Sequence, residues 1–131
     1  ALGTDLTLWD AIIPALAPRF RCIRYDARGH GLSDVPAPPY TMGALIRDAE
    51  RVLDHFAARD AVVIGCSMGG LVAQGLATKR LDLVRGMELA KTAAKFGVPG
   101  LWQTRAAQTT LSPATLNSKP HKSPPPAPFA P

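Results

Sequence analysis

Two stretches of the sequence repeat apolar side chains at helical spacing. Between residues 6 and 16, and again between residues 42 and 56, they recur every three or four positions, as in a helix with one apolar face. The apolar positions are Leu6, Trp9, Ile12, Ile13 and Leu16 in the first stretch, and Met42, Leu45, Ala49, Val52, Leu53 and Phe56 in the second. We expect Pro14 to shorten or kink the first helix and Thr41 to cap the second.

Three shorter apolar runs are typical of β-strands. Residues 20–25 are β-prone, residues 61–66 are continuously apolar as in a strand buried on both faces, and residues 86–90 form a third run. Glu88 interrupts the third run, so that strand either lies at a sheet edge or carries an unfavourable residue. Residues 69–78, rich in Gly and Ala, predict a helix packed closely against the sheet. Strands alternating with helices predict an α/β protein with a parallel sheet.

The character of the chain changes near residue 110. Seven of the 13 prolines fall between Pro113 and Pro131, where periodic apolar residues are absent. Such a segment cannot offset its ordering entropy by burying apolar surface. We therefore expect a folded core over residues 1–108 and a disordered Pro-rich tail over residues 109–131. The chain starts at Ala1 without Met, and we expect further sequence upstream.

The formal charge of +5 invites a nucleic-acid interpretation, but its distribution argues against one. All ten acidic residues lie within residues 1–88, and only five scattered basic residues follow. They are not interleaved with aromatic side chains, so we expect no nucleic-acid binding. No apolar stretch is long enough for a membrane span, and no signal peptide is evident, which predicts a cytoplasmic protein without a membrane partner. Cys22 and Cys66 are expected to be free thiols.

The strongest chemical motif is Gly65-Cys66-Ser67-Met68-Gly69, which matches G-x-S-x-G between a predicted strand and a predicted helix. A sharp strand-to-helix turn would hold the Ser67 hydroxyl away from the sheet in a strained backbone conformation. The glycines at 65 and 69 are expected to permit this turn, because a side chain at either position would crowd it. The Met68 N–H would then be placed to donate to an oxyanion.

The motif and the segment at residues 25–34 resemble the nucleophile elbow and the loop after strand four of the α/β-hydrolase family. Within that family, further stretches resemble 3-oxoadipate enol-lactonases. These are residues 2–4, 20–26, 53–56 and 89–95. The resemblance runs from residue 1 to about residue 108. It implies an incomplete α/β-hydrolase fold, with a mostly parallel sheet flanked by helices and the start of a cap near residues 96–108.

The same resemblance implies a function. Ser67 would be the nucleophile, and the N–H groups of Met68 and Leu2 would form the oxyanion hole. Leu2 has a simpler alternative as a packing residue at a frayed terminus. The implied reaction opens 3-oxoadipate enol-lactone to 3-oxoadipate without a metal or cofactor, so the implied partner is a small lactone or ester.

The chain also departs from the family pattern. The family's catalytic acid and histidine follow later strands, beyond residue 108. His30 belongs to a structural loop in this pattern, His55 to a remote helix, and His121 to the tail. Lys91 stands where Asn is usual, and Glu88 where an aliphatic residue is usual. Strand three, which in the family lies between the strands at 20–25 and 61–66, ends where this chain begins.

Three interpretations remain open from the sequence. The first is an enol-lactonase-like serine hydrolase, inactive as given because its triad is incomplete. The second is another α/β-hydrolase, such as an esterase or a haloperoxidase-like enzyme, since the cap largely selects the substrate. The third is a non-catalytic fragment produced by truncation or by a frame change near residue 110.

Overall fold

The computed structural model describes residues 1–94, which belong to one compact unit, Ala1–Phe96. Several sequence predictions fall outside the described residues. They are the start of the cap near residues 96–108, the Pro-rich tail at 109–131, and His121.

The described fold is a short helical segment followed by a helix and a β-α-β unit. Its elements are a 3₁₀ helix at Leu6–Trp9, α1 at Ile13–Leu16, α2 at Met42–His55, β1 at Ala61–Cys66, α3 at Met68–Lys79 and β2 at Val84–Ala90. The strands β1 and β2 are parallel, and Val63 is paired with Met87 in their register. Because α3 connects two parallel strands and packs on both, the predicted α/β class is confirmed.

Helix α2 forms where the apolar stripe predicts it. Thr41 caps its N-terminus, since its Oγ1 accepts a hydrogen bond from the Ala44 N–H at 3.1 Å. The apolar face of α2 packs on α3, and Gly75 of α3 allows close approach because a Cβ there would collide with Ile46. The buried core consists of Leu45, Ala49, Val72, Leu76, Leu83 and Val84. The core therefore lies between the two long helices and one face of the sheet.

The strand predicted at residues 20–25 is not formed. Residues 21–27 have no regular secondary structure, and residues 21–26 make no backbone-to-backbone hydrogen bond within the part of the chain described. A strand requires a hydrogen-bonded neighbour, and neither β1 nor β2 pairs with this segment. This outcome agrees with the expectation that the run at 20–25 and β1 do not lie side by side in the family.

The helix predicted at residues 6–16 is broken in two. Asp5 caps the 3₁₀ helix by accepting the Thr7 N–H at 2.9 Å, and a separate α1 begins at Ile13. Pro14 occupies the first turn of α1, where the missing N–H costs nothing. A continuous helix would instead have placed the proline ring against the carbonyl of residue 10, which explains the break.

Strand β1 is covered on one face only, contrary to the prediction of burial on both faces. Val63 packs against the core, whereas Val62 is 51% exposed and Ile64 is 36% exposed. Glu88 of β2 is also exposed, and β2 lies at an edge of the described sheet, which favours the sheet-edge alternative for this strand. Strand β2 begins at Val84, two residues earlier than predicted.

Candidate active site

Ser67 lies at the junction between β1 and α3. Strand β1 ends at Cys66 and α3 begins at Met68, so one residue makes the turn. Ser67 has φ 55° and ψ −118°, a conformation that non-glycine residues rarely adopt. Such strain costs about 1–3 kcal/mol and persists only when the surroundings hold it. The predicted placement of Ser67 at a strained strand-to-helix turn is therefore confirmed.

Of the two motif glycines, only Gly65 is required by packing. A Cβ at Gly65 would lie 2.7 Å from the Gly69 carbonyl carbon and 2.8 Å from the Gly70 Cα, closer than backbone atoms tolerate. A Cβ at Gly69 would meet nothing within 4 Å, so the prediction that a side chain there would crowd the turn is wrong. Gly69 already lies in helix α3, and the space around it is open.

The backbone of Ser67 is held on both sides by residues at the end of β2 and just after it. Its N–H donates to Ala90 O at 3.0 Å, and its carbonyl accepts the Thr92 hydroxyl at 2.8 Å. The same carbonyl accepts the Gly70 N–H at 2.9 Å. Sequence reasoning missed Thr92, because nothing in the motif points to a residue 25 positions away.

Met68 lines a cavity of about 140 Å³, and Ser67 is not among its lining residues. This cavity is lined by residues of the N-terminal segment 1–9, by residues 25–27, by residues 63–66 of β1, and by residues of α2 and α3. Because it excludes Ser67, it does not place the Ser67 hydroxyl and Met68 in a common pocket.

Leu2 lies in a turn closed by the Thr4 N–H and the Ala1 carbonyl, and it is 49% exposed. Its neighbour Ala1 lines the same cavity as Met68, so the two predicted oxyanion donors belong to segments that border one space. No hydrogen bond joins Leu2 to Ser67 or Met68 in the described structure.

No histidine among residues 1–94 makes a hydrogen bond to Ser67. The His30 Nδ1 lies 3.1 Å from Arg28 O within its own loop, as expected for a structural residue. The ring of His55 contacts Phe56 edge-on at the end of α2. Across the same residues, no group of three His, Cys, Asp or Glu side chains is arranged to hold a metal ion. The described part of the site thus consists of Ser67 and the groups that hydrogen-bond to its backbone.

The loop at residues 26–34 is fixed by two carboxylates. The Asp26 side chain accepts the backbone N–H groups of Leu6 at 2.6 Å and Leu32 at 3.0 Å. Asp48 of α2 forms a bidentate pair with Arg28 at 2.6 and 2.7 Å. The hydrogen bonds from Arg28 hold the pKa of Asp48 below its usual value. Partial burial, with the negative charge of Asp48, raises the pKa of Tyr25 to about 12.

Cys22 and Cys66 are free, as predicted, and the side chain of Cys22 is exposed. No helix in the described part of the chain is long and apolar enough to cross a bilayer.

Comparison with known proteins decides the family. The model of the alpha/beta hydrolase fold matches residues 1–116. The chain belongs to the α/β-hydrolase family. The elbow between β1 and α3 is the part of the fold that carries the G-x-S-x-G motif in this family.

The chain is also similar to individual members of the family. Over 106 residues the chain is 40% identical to 3-oxoadipate enol-lactonase 2 of Acinetobacter baylyi, a match covering 81% of this chain and 40% of that protein. The crystal structure of the enol-lactonase from Burkholderia xenovorans matches 86% of this chain with a TM-score of 0.81 and 39% identity. An esterase from Thermogutta terrifontis matches 83% with a TM-score of 0.76 and 33% identity. The chain spans about two fifths of the length of these relatives.

Proposed function

We propose that Ser67 is the nucleophile of a serine hydrolase that opens 3-oxoadipate enol-lactone to 3-oxoadipate. The observation that carries this proposal is the strained conformation of Ser67 at the start of α3, in a chain similar to enol-lactonases. A serine in such a turn projects from the sheet, and the helix N-terminus stabilises negative charge beside it.

The reaction would proceed in two steps. The Ser67 Oγ attacks the lactone carbonyl while a histidine base takes its proton. The histidine then gives this proton to the ring oxygen as the ring C–O bond breaks, which leaves an ester on Ser67 and an enol that tautomerises to the 3-oxo group. Water, activated by the same histidine, then hydrolyses that ester and regenerates the serine. The N–H groups of Met68 and Leu2 would donate to the carbonyl oxygen as it becomes negative.

We further propose that the 131-residue chain has no useful activity by itself. The only histidines within residues 1–94 are His30 and His55, and neither is bonded to Ser67. Without a base the serine hydroxyl is a weak nucleophile, and losing the base of a serine hydrolase costs on the order of 10⁶ in rate.

The domain organisation completes the proposal. Residues 1–108 would form the partial hydrolase core and residues 109–131 a disordered tail, which fits the Pro-rich composition of the latter. The two free thiols favour the reducing cytoplasm.

A chimera tests the function directly. Residues 1–106 would replace the matched segment of the Acinetobacter enol-lactonase, so that the remainder of that relative supplies what this chain lacks. Hydrolysis of the enol-lactone by the chimera should exceed that of its Ser67→Ala variant by at least about 10³-fold. A folded chimera no faster than Ser67→Ala would refute the nucleophile role. The 131-residue chain alone should match its own Ser67→Ala control, and clear activity above that control would refute the proposed inactivity.

An esterase is the second candidate, favoured by the similarity to the Thermogutta esterase. The chimera cannot separate the two, because its cap comes from the relative. Substrate preference would instead be read from the protein encoded by the complete source gene, by comparing its kcat/KM for enol-lactone and for a short acyl ester. A preference for the acyl ester would favour the esterase.

A further inference from the structure

The Ser67 carbonyl carries an interaction that the hydrolase motif does not include. The Thr92 Oγ1 donates to it at 2.8 Å across the end of β2. Thr92 follows Lys91, whose φ of 47° is in the left-handed region. This turn allows Ala90 to bond the Ser67 N–H and Thr92 to bond the Ser67 carbonyl.

We propose that Thr92 is a positioning residue for the Ser67 nucleophile, acting through its hydrogen bond to the Ser67 carbonyl. The proposal rests on the proposed nucleophilic role of Ser67. A strained residue returns to a relaxed conformation unless its peptide groups are held. Both peptide groups beside Ser67 are held by the segment 90–92, so this segment sets the direction of the Ser67 side chain.

The packing around Thr92 supports the same role. A Cβ at Gly70 would lie 2.5 Å from the Cβ, Cγ2 and Oγ1 atoms of Thr92, so glycine at 70 is what allows the threonine to sit against the elbow. Gln74 ties the same segment to α3, because its Nε2 donates to Ala93 O and Gly70 O at 3.2 Å. The side chain of Thr92 is therefore confined to one place.

Four variants separate the hydrogen bond from packing. Thr92→Val keeps the shape but removes the donor, whereas Thr92→Ser keeps the donor. Gly70→Ala should displace Thr92 by contact and reproduce the effect of Thr92→Val. Thr78→Val is the matched control, because the Thr78 hydroxyl also donates to a carbonyl at 2.8 Å, that of Gln74, on the exposed side of α3.

The first measurement uses the 131-residue chain and needs no activity. Amide exchange of Ser67 and Gly70 should be roughly tenfold faster in Thr92→Val, since one lost hydrogen bond favours local opening by about that factor. The three-bond coupling that reports the φ of Ser67 should move toward the value of a flexible peptide. Thr92→Ser and Thr78→Val should leave both quantities unchanged. Equal exchange and coupling in Thr92→Val and the wild type would overturn the proposal.

The second measurement uses the chimera described above. Thr92→Val should lower kcat by roughly 10- to 100-fold with KM within about twofold, because a misplaced nucleophile affects chemistry more than binding. Thr92→Ser should restore most of kcat. Wild-type kcat in Thr92→Val would overturn the positioning role and leave the proposed function standing. Absence of any hydrolysis dependent on Ser67 would instead refute the proposed function, and the exchange and coupling data would then decide on the hydrogen bond alone.

Discussion

Substituting the first glycine of the elbow should destabilise the protein far more than substituting the second. In Gly65→Ala the new methyl carbon would lie 2.7 Å from the Gly69 carbonyl carbon and 2.8 Å from the Gly70 Cα. Comfortable carbon contacts lie near 3.5–4.0 Å, so the first turn of α3 must move by about 1 Å. Overpacking of this kind costs about 1–3 kcal/mol, and because both obstacles are backbone atoms we expect about 2 kcal/mol or more.

Gly69→Ala provides the matched control one turn away. Its methyl group meets no atom within 4 Å, and alanine is the better helix former, so we expect a gain of about 0.5 kcal/mol. The assay is urea unfolding followed by far-ultraviolet circular dichroism, with equal m-values required for comparison. In a thermal melt followed by the same circular dichroism signal, the melting temperature of Gly65→Ala should fall by about 8–16 °C. The melting temperature of Gly69→Ala should stay level or rise. Equal losses in both variants would refute the packing argument.

Three further predictions concern the framework around the site. The ion pair with Arg28 lowers the pKa of Asp48 in the folded protein. The stability that this pair adds is therefore fully present above the pKa of Asp48 in the unfolded chain, about 4. It is lost as the pH falls through the lower pKa of Asp48 in the folded chain. The difference in unfolding free energy between wild type and Asp48→Asn should therefore shrink between pH 6 and pH 3 in urea titrations, and a constant difference would contradict this. Thr41→Ala should cost about 1 kcal/mol in the same assay, because the Ala44 N–H loses its cap. Lys91→Asn should raise the melting temperature, since asparagine tolerates the left-handed conformation better than lysine, and a lower value would count against strain at that residue.

The sequence correctly predicted those helices and strands that are specified by local features of the chain. The strand at 61–66 and the helix after Thr41 match their predicted starts because an apolar run and a capping residue are local features. The run at 20–25 is also β-prone but forms no strand, because strand formation depends on a hydrogen-bonded neighbour that propensity does not encode. The same limit explains why burial of β1 on both faces was wrongly predicted. The face that carries the exposed Val62 is apolar, and its sequence does not differ from that of a buried face.

In the candidate active site, too, local features were predictable from the sequence and features that depend on tertiary contacts were not. The motif was sufficient to place Ser67 at the turn, because the chemistry of G-x-S-x-G is tied to one backbone geometry. It did not distinguish the crowded Gly65 from the open Gly69, since that difference depends on the path of α3. Nor did it indicate Thr92, whose bond to the Ser67 carbonyl exists only after β2 pairs with β1.

The bond between Thr92 and Ser67 also has a consequence during synthesis. Its two partners are separated by 25 residues, which a ribosome adds in about 1–5 s at 5–20 residues per second. Until the later residue has emerged, the serine segment lacks one of the bonds that hold its strained backbone. For those seconds we expect it to behave as ordinary flexible peptide, accessible to chaperones and proteases, so that translation speed over this stretch governs how long the nascent chain stays vulnerable.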